Sequence, residues 1–131
     1  MSDCVLDASA VLAFLLKEPG ADIVRPYLPG AMISSVNVAE VINRRMKNGE
    51  SLERNAHVVG SLQMRVVNFD FEQAVMSASF KPYARIANLS LADRACLSLG
   101  LLRNVPVLTA EHNWTKADMG VEIRLIRPRP L

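Results

Sequence analysis

Short apolar runs alternate with longer stretches in which apolar residues recur at helical spacing, and this alternation repeats along the chain. Cys4-Val5-Leu6 is the first such run, and it passes through Asp7 into residues 8–17, apolar nearly all round and so expected to form a buried helix. Pro19-Gly20 stops that helix, and a short one over residues 21–28 is limited by Pro26 and ended by Pro29-Gly30. Residues 31–34 read as a strand, with Ser35 as N-cap of a helix over 36–48 and Gly49 as its stop. Ser51 caps a helix to about residue 64, and residues 65–69 have the β-branched content of a strand. Asp70 opens a helix that Lys81-Pro82 breaks, Ser90 opens another over 91–103, and a strand over 105–109 carries Pro106 at its start. Residues 121–126 alternate as a last strand. This order predicts an α/β fold: a central parallel sheet of about five strands with helices on both faces and right-handed crossovers.

A length of 131 residues fits a single domain, 1–131, with a sizeable core. The chain is 50% apolar and 21% charged, which excludes a disordered protein. No apolar run approaches the ~18 residues of a membrane span, so a soluble protein is expected. The opening Met-Ser-Asp-Cys has no basic segment leading into an apolar one, which predicts a cytoplasmic location. Cys4 and Cys96 lie in apolar segments without metal-ligand spacing and are expected to be buried thiols without function. The net charge of +2 says little alone, but acids occupied by metal would tip the surface toward a polyanionic partner.

In an open α/β sheet, ligands gather outside the carboxyl ends of the strands. Asp7 stands at such an end, Glu111 lies two residues past the fourth strand, and Asp118 follows in the next connection. For Asp7 the competing role is a helix N-cap, worth about 1 kcal/mol. Glu40 falls outside the apolar arc of Val38, Ala39, Val41, Ile42 and Met46, where an i,i+4 pair with Arg44 worth ~0.2 to 0.5 kcal/mol is the plainer role. Asp93 fits a capping box with Ser90, yet its helix is wrapped in apolar residues, and a buried carboxylate requires a partner. Basic residues cluster as Arg44, Arg45, Lys47 and Arg54, and again as Arg124, Arg127 and Arg129; each group is either a nucleic-acid contact or an ordinary solvated face. His57 and His112 are not metal-spaced, and His112 reads as a surface residue.

Four segments in order and spacing carry a resemblance over essentially the whole chain. They are Val5-Leu6-Asp7-Ala8-Ser9-Ala10, Ser34-Ser35-Val36-Asn37-Val38-Ala39-Glu40-Val41, Leu89-Ser90-Leu91-Ala92-Asp93-Arg94-Ala95, and Val107-Leu108-Thr109-Ala110-Glu111 with Trp114, Asp118 and Gly120-Val121-Glu122-Ile123-Arg124 after it. The chain thus resembles the PIN-domain family, and within it the VapC-type toxin ribonucleases of bacterial toxin–antitoxin pairs. The resemblance implies a PIN-like three-layer fold and a metal-dependent endoribonuclease that hydrolyses RNA, is neutralised by a cognate antitoxin, and forms a homodimer. The family's acids fall on Asp7, Glu40 and Asp93; its next acid is usually Asp where this chain has Glu111, and Asp118 is the alternative. Such acids imply Mg²⁺ or Mn²⁺, because hard cations take oxygen ligands and clustered carboxylates repel each other without them. A metal pair would activate a water and steady the leaving oxygen of a phosphodiester. Ser9 and Thr109 would orient a ligand or water beside the acids, or else serve as turn hydroxyls. Arg44, Arg45, Arg127 and Arg129 are the candidate RNA contacts. Two other readings stay open: a catalytically degenerate PIN domain binding RNA or protein, permitted by Glu111, and a phosphoryl receiver domain, which would use Asp70 and want a lysine near Arg127.

Overall fold

A computed structural model describes residues 3–129. Five strands, β1 (Val5–Leu6), β2 (Met32–Ser34), β3 (Arg65–Val67), β4 (Val107–Thr109) and β5 (Ile123–Leu125), form one sheet in the order β3-β2-β1-β4-β5, with every pairing parallel. Six helices connect and cover them: α1 (Ala8–Leu15), α2 (Ala21–Val24), α3 (Ser35–Met46), α4 (Leu52–Gly60), α5 (Phe71–Ala78) and α6 (Leu91–Arg103). The predicted α/β architecture is the one observed. The three central strands β2, β1 and β4 are buried throughout because both faces of the sheet are covered there, whereas the edge strands β3 and β5 keep exposed residues such as Arg65, Val66 and Arg124. Leu6, Ile33 and Leu108 join the core beneath α1, α3 and α4, while their neighbours Val5, Met32 and Val107 join a second core beneath α6, which also holds Trp114 and Phe80. Among the described residues, no helix is long and apolar enough to cross a membrane.

Element boundaries moved for identifiable reasons. Ser34, not Ser35, is the N-cap of α3: its Oγ accepts from the Val36 N–H at 3.2 Å, and Ser35 instead accepts from the Phe69 N–H at 3.1 Å. That bond and a 2.8 Å bond from Gln73 Nε2 to the Asn68 carbonyl divert the backbone that would have extended β3 to residue 69. The helix expected to reach residue 64 stops at Gly60, where the chain turns through Gln63 at φ 62°. Pro26 converts the end of the second helix into a 3-10 turn over Arg25–Tyr27. Pro106 precedes β4 and contributes its carbonyl to Val5 N–H at 2.9 Å.

The strand order creates the feature on which function depends. The chain steps outward from β1 through β2 to β3, then returns by way of α5 and α6 to place β4 on the other side of β1. β1 and β4 therefore flank a topological switch point, where the connections leave a crevice beyond the carboxyl ends of the strands. Asp7 follows β1 and lines this crevice, and Thr109, fully buried at the end of β4, donates a hydrogen bond to the Asp7 carboxylate.

α6 approaches the sheet closely at Gly100, where an added Cβ would lie 2.5 Å from Cγ2 of the fully buried Val107. Alanine favours a helix over glycine by about 1 kcal/mol, but overpacking a core costs ~1 to 3 kcal/mol. Gly100→Ala is thus expected to lower stability on balance, and Gly100→Ala with Val107→Ala to be more stable than the sum of the single changes, because the clash is removed. Urea unfolding of the three variants measures this; strict additivity would show that α6 does not press on β4 at this point.

Candidate active site

Asp7 occupies the N-cap position of α1, but its carboxylate caps nothing. It is 3% exposed, and Oδ2 accepts from Ser9 Oγ at 2.7 Å and from Thr109 Oγ1 at 2.9 Å. Each hydroxyl has a single proton, so donating to Asp7 leaves its lone pairs for other donors. Ser9 Oγ accepts from the Ala110 N–H at 2.9 Å and Thr109 Oγ1 from the Glu111 N–H at 3.0 Å. The end of β1 is thereby tied to the turn after β4, and Oδ1 of Asp7 has no partner among the described residues.

Asp93 combines the two roles that the sequence left open. Its Oδ2 accepts from the Ser90 N–H at 2.9 Å, and Ser90 Oγ accepts from the Asp93 N–H at 3.1 Å, which completes a capping box at the start of α6. The same carboxyl lines the crevice together with Asp7, Glu40 and Glu111. Leu91, expected to be buried, is 59% exposed, so the helix enters the core only from Ala95 onward.

Glu40 turns inward rather than pairing with Arg44; among the described residues no ion pair joins them. Asn37 orients it. That residue is fully buried on α3, and its Nδ2 donates to Glu40 Oε1 at 3.3 Å and to the Ala92 carbonyl at 3.2 Å, coupling α3 to the first turn of α6. Sequence reasoning passed over Asn37. The available signal was a polar side chain in phase, at i and i+4, with the buried Val41.

The structure therefore brings Asp7, Glu40, Asp93 and Glu111 to one crevice, with Ser9 and Arg44 in its wall. Asp118 is absent from the lining: it is exposed, and its carboxylate accepts from the Gly120 N–H at 3.1 Å in a local turn. Arg45 is a correction. Its Nε donates to Asn55 Oδ1 at 2.8 Å and its Nη2 to Glu50 at 3.0 Å, with the side chain only 14% exposed, so it pins α3 to α4 and is not free to meet RNA. Arg127 borders an adjoining hollow, while Arg129 is exposed. His112 is half-buried, with Nε2 enclosed and unpartnered, rather than a plain surface histidine. Cys4 and Cys96 are free and buried, as expected. Asp70 caps α5 by accepting from the Gln73 N–H at 2.9 Å and does not line the crevice, so the acid arrangement of a receiver domain is not built here.

Burial is the main influence on the acids. It pushes Asp7 up to about 7 against the pull of the Ser9 and Thr109 hydroxyls, and the nearby Asp93 and Glu40 carboxylates add to the rise. Burial also raises Glu40, opposed by Asn37 and reinforced by Asp93, and raises Asp93, opposed by its bonds from Ser90. A divalent cation would relieve each of these strains, and the donors are all hard oxygens. Among the described residues, no three His, Cys, Asp or Glu side chains stand close enough to hold one ion together. The crevice encloses about 50 Å³, room for a few ligands of water size at ~10 to 30 Å³ each. A much larger hollow, about 540 Å³ between α1 and α2, shares no residue with these acids, so size alone does not mark the site.

Four acids thus meet at the switch point of a parallel α/β sheet. A sequence profile of the PIN domain family matches residues 4–119, and the chain belongs to that family. Solved structures share its fold. DNA-bound VapBC from Salmonella typhimurium superposes with a TM-score of 0.71 at 18% identity, covering 96% of this chain and 99% of that one. A toxin–antitoxin complex from Klebsiella pneumoniae gives 0.71 at 17%, covering 90% and 94%. Mycobacterium tuberculosis VapC20, a sarcin-ricin loop cleaving toxin, gives 0.68 at 10%, covering 91% and 98%. No curated protein matches the chain significantly in sequence.

The buried carboxyl of Asp7 makes stability depend on pH in a defined direction. Its folded pKa of about 7 lies above the ordinary 3.8, so the folded state holds the extra proton between those values, and stability contributed by this group is full below about 4 and lost as pH rises through 7. Asp7→Asn keeps the size and can accept both hydroxyl bonds. In chelator it should be more stable than wild type at pH 8 by on the order of 4 kcal/mol, with the difference vanishing below about pH 4. Urea unfolding at the two pH values tests this; an equal difference at both would mean that Asp7 ionises freely.

Proposed function

We propose that this protein is a divalent-metal-dependent endoribonuclease of the VapC toxin type, a single catalytic domain acting in the cytoplasm and neutralised by a cognate antitoxin. The observation that carries this reading is the convergence of Asp7, Glu40, Asp93 and Glu111 on one crevice at the switch point of a PIN fold. Support for the substrate and the partner comes from the neighbours of that fold, which include a sarcin-ricin loop cleaving toxin and several toxin–antitoxin complexes.

Asp7 and Asp93, each with one carboxylate oxygen already held, would bind Mg²⁺ or Mn²⁺ through the other, with Glu40 and Glu111 completing the set directly or through water. Bound there, a metal pair supplies a water of lowered pKa and offsets charge on the leaving oxygen. The chain's own part is positioning. Ser9 and Thr109 fix the carboxylate plane of Asp7, Ser90 fixes Asp93, and Asn37 aims Glu40. No side chain serves as a covalent nucleophile: water attacks phosphorus, one P–O bond breaks, and the departing oxygen takes a proton.

Asp7→Asn and Asp93→Asn are each expected to lower RNA cleavage by roughly a thousandfold or more, equivalent to ~4 kcal/mol of barrier, while the protein stays folded. Cleavage across a Mg²⁺ and Mn²⁺ titration, with a chelator control, checks this; full activity in either variant would remove that acid from the site. A folded wild type that binds RNA yet cleaves none with either metal would leave a degenerate PIN module as the reading.

Glu111 reaches the crevice from an exposed position two residues after β4, with one methylene more than aspartate. Glu111→Gln should lower activity and raise the metal concentration needed for half-maximal rate, Glu111→Asp should stay active, and Asp118→Asn should change little. The reverse ranking, with Asp118→Asn inactive, would make Asp118 the fourth acid.

A further inference from the structure

The carboxylate crevice, at about 50 Å³, is far too small for a nucleotide, so any nucleic acid processed there must be gripped next to it. A hollow of about 310 Å³ adjoins it and shares Ser9, Leu12, Arg44 and Glu111 as a common wall. That volume falls at the lower end of the ~300 to 1,000 Å³ usual for small-molecule sites. Leu16, Glu18, Ala110 and Arg127 complete its lining. Arg44 stands one helical turn beyond Glu40 on α3, exposed and without an ion-pair partner among the described residues. Arg127 is held from behind. Its Nη1 donates to the Pro19 carbonyl at 3.0 Å and to Glu18 Oε1 at 3.4 Å, which leaves Nε and Nη2 available to an anion.

We infer that this hollow is the subsite for the RNA nucleotide adjoining the scissile bond, with its phosphate on Arg44 and Arg127 and its base against Leu12 and Leu16; this rests on the ribonuclease reading above. Two guanidinium groups lining one hollow beside the acids suit a phosphate held between them, because Arg binds phosphate oxygens in a fork. Glu18 is a positioning residue here: it meets Arg127 rather than the nucleotide, and it limits the rotamer freedom that binding would otherwise remove. Leu12 belongs to α1 and is 5% exposed, whereas Leu16, just past the helix, is 40% exposed and presents an apolar surface to the hollow. The pairing of an ion-sized crevice with a nucleotide-sized hollow divides the work: one holds the reacting phosphate and the other its neighbour.

The test uses the full chain and a short fluorescent single-stranded RNA. Binding is read by anisotropy in chelator at several salt concentrations, and cleavage by steady-state kinetics with Mg²⁺. Arg44→Ala and Arg127→Ala should each weaken binding about tenfold, as expected for a charged hydrogen bond, and flatten the salt dependence by about 0.7 per charge. KM should rise by the same factor with kcat within about threefold, and Arg127→Lys should recover part of the affinity. Arg103→Ala, at the opposite end of the sheet, should bind like wild type. Arginine variants that match Arg103→Ala overturn the subsite, as does a loss confined to kcat. If Arg127→Ala fails to fold, Arg44→Ala and Arg127→Lys decide the matter. Binding that depends on both arginines in a protein that cleaves no RNA would uphold the subsite while removing the ribonuclease reading.

Discussion

The structure depends on one buried carboxylate. Asp7 sits between the first strand and the first helix, nearly sealed from solvent, and is held there by two hydroxyls that come from opposite sides of the switch point. An isolated carboxylate in such a place would be costly, and hydrogen bonds from Ser9 and Thr109 offset only part of that cost, as its raised pKa records. Those hydroxyls also accept from the backbone of Ala110 and Glu111, so the turn after β4 is shaped around the same acid. Removing the charge would relax the protein at neutral pH.

Glu40 and Asp93 extend that logic. Each is raised first by burial, and mutual repulsion adds to the rise in Asp7 and Glu40. Burial and repulsion thus act together on three acids of one crevice, and perturbation of this kind marks candidate functional sites. Cys96, buried close by, shows the same field: its thiol is pushed up by burial and then by Asp7, Asp93 and Glu40, which keeps it protonated and inert.

How much of this could be read from the chain varied with what each residue's role depends on. Asp7 and Glu111 were readable because a strand end is a one-dimensional fact, visible where an apolar run stops. The five strands were readable for the same reason, although their ends were not: β3 closes early because Ser35, which is distant in sequence, and Gln73, on the next helix, take the backbone groups beyond it. Glu40 was harder. Of the apolar arc drawn on α3, Val38, Val41 and Ile42 do pack into the core, but Ala39 is exposed and Met46 is 40% exposed. The inward line also runs through Asn37 and Arg45, four residues to either side of Val41, and both are polar. A wheel weighted by hydrophobicity discards such positions. The two residues it discards turn out to be Asn37, which orients Glu40, and Arg45, which fastens α3 to α4 instead of reaching for RNA.

Asp93 shows why structural and chemical roles need not compete for one side chain. A capping box uses one carboxylate oxygen and the backbone N–H of the same residue, and it leaves the second oxygen free. The bond from Ser90 fixes the direction of that free oxygen before any ligand arrives, so orientation that a flexible acid would lose on binding is already lost on folding. Asp7 follows the same rule through Oδ2, with hydroxyls in place of a backbone amide. Glu111 does not: it is exposed, and its carboxylate has no donor among the described residues to hold it. Of the four acids it is therefore the one free to follow a ligand into the crevice, and its longer side chain is tolerable because nothing in the fold fixes where that chain must end.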